Sequence, residues 1–390
     1  MTEPTVDLKR TPLYEYHRRH GGHLVPFAGW EMPLYYSSIL AEHKAVRTSV
    51  GLFDVSHMGI LTVSGGHAAD LLSRRTVSNA EKIQPGQVRY SFLLEASGGI
   101  VDDLLISRLT PADALETTYL VVPNAGRAAE IEEILRQHRG PDTTVRRWND
   151  AVGLVALQGP KSRELLESLY GWDLKPLAFY HVGFYAKDSA HGGTTAKLGL
   201  PFPGALDHHI LVSRTGYTGE LGYELFVPKG EVDAFAEKLL AAGAVPVGLG
   251  CRDTLRLEKG YLLSGQEFHR DRSPIECAQE RFVDLDHPFV GRPALDQQHA
   301  EGPKVRMVGI EVTTPGAIPR HGTPVLVGGQ VVTQATSGGL SPTLNVGIAL
   351  AFLPRESTAP GTEVELEIHG TMVPGRVVPL PFLKAPSGRG

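Results

Sequence analysis

At 390 residues the chain is long enough for two or three domains around a large buried core. Its 42% hydrophobic and 21% charged residues are those of a soluble globular protein, and 38 Lys+Arg against 43 Asp+Glu leave a formal net charge of -5. There is no long basic run to follow a phosphate backbone, no apolar stretch long enough to span a bilayer, and no secretory or import leader in MTEPTVDLKR, so nucleic acid and membrane are excluded as partners and a cytoplasmic protein is expected.

In chain order, His17, His20 and His23 come first; their three-residue spacing invites a metal reading. Without an HExxH, and set in an Arg- and Gly-rich helix end, they read instead as solvated surface. Ser37 or Ser38 caps a predicted helix through Ile39, Leu40 and Val46 to Gly51, and His67 to Thr76 forms a second. Phe53 to Val63, Val88 to Glu95, Ile100 to Leu109 and Thr117 to Val122 are β-patterned, and a helix follows from about Arg127 to His138. The third of these runs begins at a Gly98-Gly99 turn and carries two adjacent acids, Asp102 and Asp103, in an apolar strand. Alternation sends their carboxylates to opposite faces. One then meets solvent or a turn amide, while the other points into the protein, where an unpaired charge needs a partner or a task.

Pro160 at a first helical position and Gly171 beyond the last turn bound a helix over Lys161 to Tyr170. Gly192 to Asp207, rich in Gly and Pro, reads as a loop. Next, SRTGYTGELGYEL (Ser213 to Leu225) joins two short strands, His209 to Arg214 and Tyr223 to Val227, through Gly216, Gly219 and Gly222. On glycine spacing alone it is equally an exposed turn or a ligand loop. Helices are predicted over Glu231 to Ala242 and Arg252 to Lys259. From Val305 short β runs recur at Arg306 to Val312, Pro324 to Thr333, Val346 to Phe352, Thr362 to His369 and Met372 to Val378, which points to a separate antiparallel barrel or sandwich. The irregular alternation favours α+β over a doubly wound sheet. The two cysteines, Cys251 and Cys277, exclude a disulfide scaffold and read as inert buried thiols. Gln158-Gly159-Pro160-Lys161-Ser162 lacks the lead of a phosphate loop, Gly248-Leu249-Gly250 lacks the rest of a dinucleotide fingerprint, and there is no GxSxG elbow.

Taken together, RTPLYEYHRRHGG, VPFAGWEMPLYY, VRTSVGLFDVSHMG, RYSFLLEASGGIVDD, LVVPNAG, ALQGPKS, SRTGYTGELGYEL, VGLGCRDTLRLEKGYLLSGQE and SGGLSPTLNVGIAL resemble, in order and over essentially the whole chain, the aminomethyltransferase (T-protein) of the glycine cleavage system. The resemblance implies an α+β cloverleaf of three lobes around a central folate site, the last a C-terminal antiparallel β-barrel. Residues 1–270 would hold the two intertwined folate-binding lobes, 271–300 a connecting segment and 301–390 the barrel. It also implies two partners: tetrahydrofolate as co-substrate and the lipoylated H-protein, whose arm brings an S-aminomethyl group. The transfer leaves 5,10-methylenetetrahydrofolate and ammonia, and it needs neither metal nor redox cofactor because the carbon oxidation levels match.

By match to the family pattern, Asp103 is the catalytic acid, either moving a proton or orienting folate and balancing positive charge, and Asp102 is structural. Glu224 is placed on the pterin edge, whose adjacent N–H and amino donors suit a carboxylate. Tyr90 and Tyr217 supply aromatic surface and hydroxyls. Arg252 contacts ligand or locks a neighbouring carboxylate. Asn124, Tyr261 and Met58 line the site. Lys384 matches a basic residue of the closing segment and, with Arg292, is a candidate for a local patch receiving the acidic carrier. Gln279 and Arg281 depart from the pattern by replacing hydrophobes. Two alternatives belong to the same superfamily: a stand-alone folate-dependent demethylase and a non-catalytic folate-binding protein. The second carries KGCYxGQ, whereas Lys259 to Gln266 has an extra residue and no cysteine.

Overall fold

The computed structural model describes residues 7–188 and 195–384, so residues 192–194 of the expected Gly192 to Asp207 loop lie outside the described residues, while Gly204–Asp207 closes into a 3-10 turn. Apolar alternation sorts the strands into two mixed α/β lobes and a barrel. The first lobe holds a six-stranded sheet in the order Val182–Ala186, His209–Ser213, Gly222–Pro228, Val152–Gln158, Gly51–Asp54, Val245–Pro246. The second holds five antiparallel strands in the order Val88–Leu94, Ile100–Arg108, Thr117–Pro123, Leu61–Gly65, Thr144–Arg147. Six antiparallel strands between Val305 and Val378 close the barrel. The chain is thus the expected α+β arrangement of three lobes with a C-terminal antiparallel barrel.

Strand boundaries depart from the sequence reading where glycine lets the chain turn inside an apolar run. Phe53 to Val63 is two strands in two different sheets. Asp54 ends the first by accepting the Ser56 amide at 2.8 Å, and Gly59 then donates to the Pro123 carbonyl at 3.0 Å. A Cβ on Gly59 would lie 2.6 Å from Pro123, so only glycine allows that approach. Pro324 to Thr333 likewise divides at Gly328 and Gly329, both at positive φ, into Pro324–Val327 and the long Gln330–Ser341.

Ser38 caps the Ile39–Thr48 helix by accepting from Ala41 N at 3.2 Å. Lys161 stands at the N-cap of the Ser162–Tyr170 helix, so Pro160 precedes the helix instead of opening it; Gly171 closes it in the left-handed region. The helix carrying Arg252 runs Leu249–Glu258, which puts Arg252 in its first turn and not at its head. Buried Glu42 accepts the Gly248 amide ahead of that helix at 2.9 Å, a favourable place for a carboxylate.

The solvated reading of the three histidines fails at His17. Its ring is buried, with Nε2 on Asp54 at 2.9 Å and Nδ1 on the Tyr36 hydroxyl at 2.7 Å. His20 meets Glu237 at 2.9 Å and His23 stacks on Tyr35. Among the described residues no three His, Cys, Asp or Glu side chains are grouped to hold a metal ion, and no helix is long and apolar enough to cross a membrane.

Candidate functional site

The two acids on the Ile100–Arg108 strand meet in one hydrogen-bonded cluster instead of parting to opposite faces. The register sets Leu104 opposite Pro123, and Asn124 follows as the neighbouring strand ends. Asn124 donates its backbone amide to Asp102 Oδ2 at 2.9 Å, and its side-chain Nδ2 to Asp102 Oδ1 at 2.9 Å and Asp103 Oδ1 at 2.5 Å. Asp103 Oδ2 accepts the Tyr90 hydroxyl at 2.5 Å. Asp102 is fully buried and Asp103 partly so. Loss of hydration raises both carboxyls above the ordinary carboxylate range, Asp102 the further because the Asp103 charge adds to its burial, whereas the bonds from Tyr90 and Asn124 oppose the rise at Asp103. The hydrogen bonds from Tyr90 and Asn124 favour the charged form of Asp103 against its burial.

Glycines in the Ser213 to Leu225 segment are dictated by Gln158. That side chain donates to the Thr215 carbonyl at 3.1 Å and accepts from Thr218 Oγ1 at 2.9 Å. A Cβ on Gly216 or Gly222 would come within 2.0 or 2.3 Å of its amide. The segment is therefore folded inward around a buried amide, which decides against a plain exposed turn. The same folding sets Glu224 opposite Ser213 and lets Thr215 donate to its carboxylate. Burial raises the Glu224 carboxyl; the Thr215 bond and the Arg252 charge work against this.

Arg252 lies 4.5 Å over the Tyr217 ring, whose centroid is 5.7 Å from that of Tyr261. The Tyr217 hydroxyl donates to the Leu262 carbonyl. Burial lowers the Arg252 guanidinium, and the fields of Tyr217, Glu224 and Asp103 restore it in part. Arg252 thus electrically couples the Glu224 hairpin to the Asp103 cluster. The Tyr90 ring packs edge-on against Phe92 at 5.0 Å and Phe282 at 4.9 Å. Met58 sits on the inter-sheet turn beside Gly59, which is bonded to the residue preceding Asn124.

Seven of the nine sequence-predicted residues, Asp103, Tyr90, Asn124, Glu224, Arg252, Tyr217 and Tyr261, are thus joined by hydrogen bonds, ring contacts or direct electrostatic coupling, and Met58 adjoins them. Lys384 is exposed, and among the described residues it is not joined to the cluster. It follows Leu383, whose amide donates to Glu258 at 3.0 Å and whose carbonyl accepts Lys259 Nζ at 3.0 Å. Arg292, the other candidate for a docking patch, is tied to Asp296 at 3.1 Å and to the His287 carbonyl at 3.0 Å.

Sequence reading missed Tyr180, Thr215 and His57. Tyr180 holds φ at +57, which a tyrosine rarely adopts, because its carbonyl accepts from Val88 and its amide donates to Arg214, pinning it between two sheets. Burial, then the fields of Tyr261 and Glu224, push its hydroxyl upward. His57 is buried with Nδ1 unpartnered among the described residues, and burial pushes it down to about 4, so it is neutral at physiological pH. The one sequence signal for either was the adjacency of His57 to Met58.

A family model for the GCVT N-terminal domain matches residues 13–195 and 204–287, and one for the glycine cleavage T-protein C-terminal barrel domain matches 306–384. The chain is 41% identical over 392 residues to an aminomethyltransferase of Symbiobacterium thermophilum, covering 98% of this chain and 99% of the other. It is 38% identical to one of Halothermothrix orenii over 96% and 100% of the two chains. Its backbone superposes on the crystal structure of the glycine cleavage system aminomethyltransferase T from Bartonella henselae with a TM-score of 0.85 at 33% identity, covering 97% of this chain and 99% of that one.

Proposed function

Since the chain belongs to the glycine cleavage T-protein family, we propose that it transfers the methylene of a carrier-bound aminomethyl group to tetrahydrofolate, releasing ammonia and forming 5,10-methylenetetrahydrofolate. The carrier is the lipoylated H-protein, and both substrates are met in solution. Two C–N bonds to folate N5 and N10 replace the C–S bond to the lipoyl arm and the C–N bond to ammonia. The two protons leaving folate nitrogen end on the thiolate and on ammonia, so no electrons are exchanged and no oxidant is required.

The observation that carries the reading is the Asp103 carboxylate, held by Tyr90 and Asn124 in a buried setting and facing the charge of Arg252. A positive charge developing on the one-carbon unit is stabilised by an anion already desolvated and oriented. Glu224, fixed by Thr215, offers acceptor oxygens to the donor edge of a pterin, and Tyr217, Tyr261 and Tyr90 wall the ring system. The stack of Arg252 on Tyr217 keeps that wall rigid.

The test is turnover with tetrahydrofolate and aminomethyl-loaded H-protein. We expect Asp103→Asn to lose most turnover while folate affinity stays within about tenfold, and Asp102→Asn to lose much less. Wild-type turnover in Asp103→Asn beside loss in Asp102→Asn would reverse the assignment of the pair.

A further inference from the structure

The Ala68–Arg75 and Ala128–Gln137 helices bury Leu71, Leu72, Ile131 and Leu135 with Leu104 and Ile106 of the strand that carries the acid pair, whereas Leu105 packs with Met58 against a different core. Asp103 shares the side of Leu105 by alternation, so these helices lie across the sheet from it. Along the first of them a cavity of about 460 Å³ opens, closed by residues 138–141 past the end of the second and by Val290 of the connecting segment. Three arginines and two histidines line it against one carboxylate, Asp70. Asp70 is paired with Arg74 at 2.7 Å, and His67 with Asp142 at 2.6 Å. His138 donates Nδ1 to the Ile134 carbonyl at 2.8 Å, which leaves its Nε2 unbonded among the described residues. Arg139 is exposed; among the described residues it has no ion pair, and neither its backbone amide nor that of Gly140 has an acceptor. Arg75 is half-buried. Its Nε is shut off from solvent without a partner among the described residues, and burial lowers the guanidinium with no carboxylate near enough to oppose this.

Basic residues in the last turn of a helix complement its dipole, which accounts for Arg74 and its pairing with Asp70. It does not account for Arg75, whose shielded donor would ordinarily be satisfied, nor for Arg139, which belongs to no helix. Two guanidinium forks beside unbonded amides suit an acceptor-rich dianion, and a phosphate group presents three oxygens to them. Leu71, Pro141 and Val290 add apolar wall, and a concave space of this size takes a small ligand in preference to a flat protein face. We propose that this cavity binds the phosphate monoester of a small apolar molecule, with Arg75 and Arg139 on the phosphate oxygens and the organic part on Leu71, Pro141 and Val290. The proposal stands apart from the folate reading, because it uses none of the residues of that site.

Calorimetric titration of the full chain tests it, with phenyl phosphate as the probe and phthalate, a dicarboxylate on the same ring, as its comparison. The proteins are wild type, Arg139→Gln, Arg75→Lys and a remote surface control, Arg18→Gln. The expected result is saturable binding of phenyl phosphate by wild type with a dissociation constant of about 1 mM or below. Arg139→Gln should weaken it roughly five- to twentyfold, the scale of one charge-assisted contact discounted for exposure. Arg75→Lys keeps the charge without the fork and should weaken it by a similar factor, while Arg18→Gln should change nothing. Raising salt from about 50 to about 500 mM should weaken wild-type binding. Arg139 is exposed, so its variant tests the site even where Arg75→Lys fails to fold. No saturable binding by wild type in the millimolar range, or equal affinity in Arg139→Gln, overturns the site. Phthalate bound as tightly as phenyl phosphate overturns the phosphate assignment. Displacement of the probe by tetrahydrofolate also overturns it, since the anion would then sit in the folate site. Unchanged probe binding in Arg139→Gln beside a raised KM for loaded H-protein overturns it in favour of a carrier contact.

Discussion

Tyr90→Phe isolates the hydrogen bond that most favours the charged form of Asp103. The substitution removes one hydroxyl, and with it the 2.5 Å bond to Asp103 Oδ2, while keeping the ring that packs on Phe92 and Phe282 at 5.0 and 4.9 Å. A hydrogen bond to a charged group contributes about 1.5–3 kcal/mol and one between neutral groups about 0.5–1.5, so the preference of this bond for the carboxylate over the carboxylic acid is about 1–1.5 kcal/mol. At 1.36 kcal/mol per decade that is roughly a five- to tenfold change in the ionisation constant. Burial already raises the group, and the Tyr90 bond is the largest influence against it, so its loss raises the carboxyl further. If the anion is the active form, the acidic limb of kcat/KM for tetrahydrofolate moves to higher pH while the plateau is largely kept. The assay is a pH series with aminomethyl-loaded H-protein on wild type and variant. A limb that stays in place, or one that moves to lower pH, refutes the reasoning.

Glu224→Gln should weaken folate binding by roughly 1–3 kcal/mol, the cost of spoiling a buried charge-assisted contact, whereas Glu220→Gln should leave affinity alone and lower stability, because Glu220 is paired with Arg47 at 2.9 Å; calorimetric titration and urea midpoints separate the two. Glu258 titrates near 2 in the folded state against 4.5 ordinarily: burial pushes it up, but bonds from His43 and Ser341 and the charges of His43 and Arg47 outweigh that. Its folded pKa is depressed, so its contribution, about 3 kcal/mol, is fully present above pH 4.5 and is lost as pH falls from there toward 2; urea unfolding should show a shallower acid loss in Glu258→Gln than in wild type. For the carrier, rising ionic strength should raise the KM for loaded H-protein steeply and that for tetrahydrofolate less, with Lys384→Ala flattening the difference; equal salt responses would count against charge-guided docking.

What could be read from the chain is what is encoded over a few neighbouring residues. The Ser213 to Leu225 hairpin, the two acids in an apolar strand and the barrel strands all follow from local alternation and glycine spacing, and the structure places Ser213 opposite Glu224 as the hairpin requires. The failures occur where a distant group overrides a local rule. His17 lies in a polar helix end, yet Asp54 and Tyr36 reach it from other elements and bury it. Strict alternation would separate Asp102 from Asp103, but one Asn124 amide past the end of the next strand holds both. Phe53 to Val63 is apolar enough for one strand, and only the approach of Pro123 to Gly59 forces the turn between sheets. Tyr180 carries no motif at all; its position comes from backbone bonds to Val88 and Arg214.

The Leu249–Glu258 helix shows how three lobes, whose apolar clusters already run across their boundaries, hold one site steady. Arg252, in its first turn, lies over Tyr217 and feels the charges of Glu224 and Asp103. Near the other end, Arg256 is fully buried with Glu267 at 3.0 Å and Ser337 of the barrel at 2.7 Å. Glu258 accepts from Ser341 of the barrel at 2.6 Å and from Arg47 at 2.6 Å, and Arg47 in turn holds the Thr218 carbonyl of the glycine-rich hairpin at 2.7 Å. Buried charges of this kind are poor sources of net stability, because desolvation offsets most of their attraction. They are nonetheless directional, and breaking one partner leaves the other unpaired at a cost of several kcal/mol. A helix fixed at its far end by such bonds to the barrel and the hairpin has little freedom to rotate, so the guanidinium in its first turn keeps its place over Tyr217. On the function proposed, the barrel bears on the site through the orientation that its bonds to this helix impose on Arg252.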